Sequence, residues 1–279
     1  MAGGGALGWG MAGQYIEPMP PESAAPNLPA GRECGLGGPG WRQLWPLRPP
    51  QLCVLCGNWG RHGLCPACQA RFVGVRPPAC PRCALPSPGG RVCGSCQQAP
   101  PPYAACIAAA DYGFPWDRLV TRFKFHGQPE LADLLAGVMT GAITGQGAAP
   151  VHGVLPAQIV LPVPLSDVRL AERGYNQAWE LARRLAARLK LPAQADGLLR
   201  LRDTPHQVGL SRRARASNLR DAMWVAPVAA AQLAGRHLAL VDDVLTTGVT
   251  AAAASQALLA AGAASVQVWV LARTPAPER

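Results

Sequence analysis

From residue 103 onward, short continuous apolar runs alternate with stretches in which apolar residues recur every three or four positions. The runs cover residues 106–113 (CIAAADYG), 158–164 (QIVLPVP), 237–243 (HLALVDD) and 265–272 (SVQVWVLA). They lack the in-out alternation of a half-exposed strand, so they predict strands buried on both faces. The stretches between them predict helices over residues 116–125, 130–140, 176–190 and 251–261. Pro129 stands near the start of the second and Gly262 stops the fourth. In the third, Ala178, Leu181, Ala182, Leu185 and Leu189 share one face, while Arg183, Arg184 and Arg188 lie off it. Strands alternating with helices imply a mainly parallel sheet covered on both sides, over residues 103–273.

Ahead of residue 103 the pattern is different. Residues 1–50 hold 11 Gly and 9 Pro and no sustained period, and read as a disordered Gly/Pro-rich tail. Residues 51–99 are rich in cysteine and poor in large apolar residues. So short a segment needs staples to fold, and metal ions are one kind. No apolar stretch of about 18 residues lacks polar interruption, so no membrane span is expected. The first 30 residues lack a basic region followed by an apolar one, so the expected compartment is the cytoplasm.

Of the ten cysteines, eight form four Cys-x-x-Cys pairs: Cys53/Cys56, Cys65/Cys68, Cys80/Cys83 and Cys93/Cys96. In a reducing compartment disulfides are disfavoured, and each pair places two sulfurs within reach of one ion. Two pairs complete a tetrahedral thiolate site for zinc. Four pairs therefore make two structural zinc sites, with neighbours joined in the simplest arrangement and an interleaved arrangement also compatible with the spacing. His62 is a spare candidate ligand, most simply a bystander. All-thiolate zinc leaves no open position for substrate, so the metal folds the module. It also changes the charge. Each zinc with four thiolates contributes −2, so two sites take residues 51–110 from +5 to +1 and the chain from +10 to +6. The remaining basic excess, almost all arginine, attracts phosphates and nucleic acid.

The most informative stretch is LALVDDVLTTGVT, residues 238–250. A buried strand ends on Asp242 and Asp243, a turn of small hydroxyl residues follows, and a helix begins. A turn entering a helix offers unpaired backbone N–H groups and the positive end of the dipole. Gly248 lets a phosphate approach the backbone, and Thr246, Thr247 and Thr250 add hydroxyls. Two carboxylates would repel that phosphate but suit sugar hydroxyls or a magnesium ion. Phosphate on one side and diol on the other describe a ribose phosphate. Open parallel sheets bind ligands at this end of their strands.

This stretch resembles the phosphoribosyl pyrophosphate (PRPP) motif of type I phosphoribosyltransferases, with Ala239 smaller than the usual branched residue. More narrowly, residues 51–273 resemble the ComF-type competence family. The likeness is carried by FKFHG (123–127), LPVPLS (161–166), RLAERGYNQA (169–178), QVGLSRRARASNLRDA (207–222) and the acidic loop. The resemblance implies a (double) zinc ribbon before an α/β domain of the type I phosphoribosyltransferase fold, with a mainly parallel sheet. It implies that Thr246, Thr247, Gly248 and Thr250 hold the 5′-phosphate. Asp242 and Asp243, as the catalytic candidates, meet the ribose hydroxyls beside magnesium. The LPVP turn lies at the pyrophosphate, where Pro162 or Pro164 makes a cis bond cheap.

Arginines cluster in two segments, Arg169 and Arg173 in the first, Arg212, Arg213, Arg215 and Arg220 in the second. Guanidinium groups bind phosphate in a bidentate fashion, which makes Arg173 and Arg215 candidates to close over PRPP. Lys124, one of two lysines in the chain, is a further candidate contact. A solvated basic face is the plain alternative for the arginines, and a helix-end cation for the lysine. Two functions are compatible with these residues. One is a phosphoribosyltransferase, of the glycosyltransferase class, with an unidentified acceptor and a link to DNA uptake. The other is a non-catalytic DNA-uptake accessory protein that binds single-stranded DNA and protein partners. A transcription factor built on zinc ribbons leaves the Asp-Asp-Thr-Thr-Gly loop unexplained.

Overall fold

The computed structural model describes residues 51–60, 63–74, 76–145, 155–200 and 223–276. The tail over residues 1–50, His62 and the second arginine segment with Arg215 lie outside the described residues.

Two small modules come first, and each follows the same recipe. A knuckle carries one Cys-x-x-Cys pair, and a short helix begins just after the first cysteine of the next. In the first module β1 (Gln51–Leu52) pairs antiparallel with β2 (Trp59–Gly60), and α1 (Pro66–Phe72) follows Cys65. In the second, α2 (Gly94–Gln98) follows Cys93. The knuckles match bond for bond. The N–H of Gly57 donates to the Cys53 carbonyl (2.9 Å), as that of Ala84 does to Cys80 (2.8 Å). Both residues turn left-handed, with φ of 74° and 56°, a conformation that glycine adopts freely and alanine only when its surroundings impose it.

The main domain is built on four parallel strands in the order β3-β6-β5-β4, taking β3 as Ala105–Asp111, β4 as Ile159–Pro162, β5 as His237–Leu245 and β6 as Ser265–Arg273. Alternation along the strands supplies two faces. Ala239, Val241, Trp269 and Leu271 point to one, covered by α3 (Trp116–Phe125), α4 (Leu131–Ile143) and α6 (Gln177–Leu189). Leu238, Leu240, Val266, Val268 and Val270 point to the other, covered by α7 (Pro227–Leu233) and α8 (Val249–Ala260). The expected helices and strands are all present, with ends that coincide or shift by at most three residues. Three short elements have too few residues to show a period: α5 (Asp167–Arg173), α7, and a ribbon pairing Leu199–Arg200 with Met223–Trp224. No described helix is long and apolar enough to cross a membrane.

The LPVP turn differs from expectation in one respect. Neither Pro162 nor Pro164 follows a cis bond; among the described residues the cis peptide is Phe114–Pro115. The turn is held in place instead by an ordinary parallel-sheet bond, the Val163 N–H donating to the Val241 carbonyl at 2.8 Å.

Candidate ligand site and metal centres

The sulfurs of Cys53, Cys56, Cys65 and Cys68 lie within 4.8 Å of one another, and those of Cys80, Cys83, Cys93 and Cys96 do the same. Neighbouring pairs are thus joined, and the interleaved arrangement is excluded. Cys56 and Cys65 Sγ are 3.6 Å apart, Cys83 and Cys93 Sγ 3.7 Å. Four sulfurs about 2.3 Å from one zinc stand close to 3.8 Å apart, so both sets fit the ion. The knuckle backbones favour the thiolate. Burial opposes ionisation of Cys53 and Cys80, but N–H groups of Cys65, Cys56 and Leu55 around the first, and of Cys93, Arg82 and Cys83 around the second, outweigh it. They hold these thiols at about 6 and about 7.

At the carboxyl end of β5 the strand alternation splits the acidic pair. Asp243 points to the same face as Val241, is only 4% exposed, and meets the Lys124 ammonium from α3, with Oδ2 to Nζ at 2.8 Å. Asp242 points to the α8 side and stays partly exposed; its Oδ1 accepts the Asp243 N–H at 2.8 Å. Enclosure by the sheet and its covering helices, and then the neighbouring Asp243 carboxylate, push the Asp242 carboxyl up to about 8, with Lys124 opposing. The chain then turns through Thr246 and Thr247, both exposed, to Gly248 at φ 79°, which opens α8. The first-turn N–H groups of α8, the Thr246 and Thr247 hydroxyls and that of Thr250 border this turn. A Cβ on Gly248 would lie at contact distance, 3.4 Å, from Tyr103 Oη; it is the φ of 79° that calls for glycine.

Motifs far apart in sequence meet beside it. The Tyr175 hydroxyl donates to the Phe123 carbonyl, and their rings pack at 5.8 Å. Asn176 caps α6 by accepting from the Ala178 N–H at 2.9 Å, and its Nδ2 donates to the Val163 carbonyl of the LPVP turn at 3.2 Å. Arg173 stacks over Phe125 at 5.0 Å and donates to Gln177 Oε1 at 3.1 Å. The structure therefore brings Lys124, Asp242, Asp243 and the threonine-glycine loop to one end of the sheet, and joins the LPVP turn and the segment around Arg173 to it. Two residues at this end were not singled out from sequence. Tyr103 lies in the linker after the second module, and Arg273 is the last residue of β6. Only the polar end of an otherwise apolar run hinted at the second.

An Asp-Asp-Thr-Thr-Gly loop at the carboxyl end of a parallel sheet, behind two four-cysteine modules, defines an α/β protein carrying a double zinc ribbon. A model of the double zinc ribbon domain matches residues 44–97. DNA utilization protein YhgH of Escherichia coli strain K12 is 36% identical over 236 residues, 82% of this chain and 99% of its own length. Competence protein F of Haemophilus influenzae is 34% identical over 225 residues, 79% of this chain and 96% of its own. The chain belongs to the ComF-type competence family. Among solved structures, the glutamine PRPP amidotransferase of B. subtilis is 19% identical with a TM-score of 0.32, covering 52% of this chain and 26% of that one. A Trypanosoma cruzi hypoxanthine phosphoribosyl transferase is 16% identical with a TM-score of 0.28, covering 53% and 65%. This chain spans about a quarter of the amidotransferase's length.

Proposed function

We propose that the protein binds PRPP with magnesium at the carboxyl end of β5 and transfers or holds its phosphoribosyl group. The observation that carries this reading is the loop from Asp242 to Thr250. An acidic pair leads into a glycine turn at φ 79° that opens a helix, with the LPVP turn bonded alongside. Thr246, Thr247, Gly248 and Thr250 would take the 5′-phosphate. Asp242, whose carboxyl is the less committed of the pair, would meet the ribose hydroxyls, while Lys124 neutralises Asp243. A hard divalent cation fits these carboxylate oxygens, and magnesium bound there would neutralise the pyrophosphate. In phosphoribosyl transfer the bond from C1 to pyrophosphate breaks and a nucleophile bonds to C1. The protein's part is to orient the sugar, neutralise the leaving group and exclude water. Arg173 and Arg215 are the candidates for the pyrophosphate side. With relatives named for competence and DNA utilization, we place this chemistry in the handling of incoming DNA.

The test is calorimetric titration of PRPP with magnesium into wild type and the Asp242→Asn/Asp243→Asn variant. Binding lost in the variant supports the site and justifies a nucleobase screen for turnover. A folded, zinc-loaded wild type that binds nothing removes the assignment. A second reading, single-stranded DNA binding without turnover, is favoured by exposed rings lying under arginines. Phe114 is 61% exposed beneath Arg118 (5.1 Å), and Phe125 is 65% exposed beneath Arg173. Titration with oligonucleotides of mixed sequence separates the two.

A further inference from the structure

Arg273 ends a buried strand and is itself 7% exposed, yet among the described residues no carboxylate pairs with it. Its guanidinium donates to backbone carbonyls in two directions. On one side Nε donates to the carbonyl of Cys83, the second cysteine of the second module's knuckle, at 2.8 Å. On the other, Nη1 donates to the carbonyls of Leu245 (2.8 Å) and Thr246, at the entrance of the threonine-glycine loop, and to Thr274 (3.0 Å). A trans peptide points its N–H opposite to its C=O. Holding the Thr246 carbonyl inward therefore aims the Thr247 N–H outward, to the side from which an anion approaches. The linker makes a second tie. Arg82, inside the same knuckle, donates to the Tyr103 carbonyl at 3.2 Å, and Tyr103 Oη closes over Gly248. The Cys106 N–H donates to the Pro81 carbonyl at 2.9 Å, fixing the knuckle to β3. The first module makes a different attachment: Arg122 of α3 donates to the Val54 carbonyl at 3.1 Å.

We propose that Arg273 is a positioning residue that couples the second four-cysteine site to the ligand loop, so that zinc in that site holds the loop in its anion-ready shape. The inference rests on the reading of the loop as a phosphate site. The Cys83 carbonyl is placed by the knuckle, the knuckle is closed by its metal, and Arg273 carries that constraint to Thr246. Such coupling is reciprocal: a ligand on the loop raises the affinity of the second site for zinc.

Hydrogen–deuterium exchange of the peptide spanning residues 243–252, in the full zinc-loaded chain, reads the coupling directly. Stripping zinc with a chelator is expected to speed exchange of this peptide about tenfold. Arg273→Met is expected to do the same while retaining two zinc ions, and stripping it then adds less than stripping adds to wild type, because only the Arg82–Tyr103 tie remains. Arg273→Lys recovers part of the protection, and Arg122→Met leaves the loop as in wild type. PRPP with magnesium binds Arg273→Met about tenfold more weakly. If Arg273→Met does not fold, Arg273→Lys and zinc stripping of wild type carry the test. A loop in wild type that ignores zinc removal, or Arg273→Met binding PRPP as wild type does, overturns the proposal. Exchange coupling intact with no PRPP binding sinks the ligand reading instead and leaves the coupling standing.

Discussion

Asp242 carries the sharpest chemistry of any single residue. Its carboxyl holds a proton up to about 8, whereas an unfolded aspartate loses it near 3.8. Between those values the native state binds more protons than the unfolded one, so stability should fall as pH rises across that window. Asp242→Asn should flatten that part of the profile, as urea midpoints between pH 4 and 8 would show. A cation binding the ionised carboxylate must displace the proton. Magnesium with PRPP should therefore release up to about one proton at pH 7, and calorimetry in buffers of different ionisation enthalpy would count it. Gly248 makes the second prediction at this scale. Alanine there must take φ 79° with its methyl 3.4 Å from the Tyr103 hydroxyl, costing about 1–2 kcal/mol of stability and weakening PRPP further. Denaturant unfolding checks the first part and titration the second.

Among elements, α3 and α6 position most of the site. Helix α3 delivers Lys124 to the buried Asp243. Lys124→Met strands that carboxylate and should cost about 1–3 kcal/mol, less than a fully buried pair because the lysine is partly exposed. Pairing it with Asp243→Asn should recover most of the loss, a non-additivity that a double-mutant cycle measures. Helix α6 owes its start to Asn176, whose side chain also holds the LPVP turn. Asn176→Ala should lower stability by about 1–2 kcal/mol, read from thermal or urea melts. The helices themselves were legible from their apolar period, and Lys124 drew notice because the chain uses lysine so rarely. Its partner was not legible. Which of two adjacent aspartates faces α3 depends on strand register and on the helix lying over that face.

For the whole molecule, the two four-cysteine modules do not merely precede the sheet. Arg76, from the stretch between them, donates to the carbonyls of Ala84 and Ala108, each at 2.8 Å, and pairs with Asp111 at 2.7 Å, tying the second knuckle to β3. Metal binding is then part of the folding free energy of the assembly. The protein should carry two zinc ions per chain by elemental analysis. Cys56→Ser and Cys83→Ser should each remove one, with the second lowering the thermal midpoint of the α/β domain more, because its knuckle touches β3 and β6. Equal losses from the two variants would contradict this picture.

Local chemistry made several features readable from the chain alone. Cysteine spacing points to two metal sites, because two sulfurs three residues apart reach one metal without help from the rest of the fold. Apolar period determines the strands and helices, because burial on one or two faces imposes it. The Asp-Asp-Thr-Thr-Gly loop was readable as a motif, and with it the proposed ligand class, because strand, turn and helix start are contiguous. Tertiary structure decided which cysteine pairs share an ion and which aspartate Lys124 neutralises. It also brought Phe123, Val163 and Tyr175 to one end of the sheet and set Arg273 between the second cysteine knuckle and the threonine-glycine loop. Each of these joins residues distant in the chain, and only the packed sheet brings them within bonding distance.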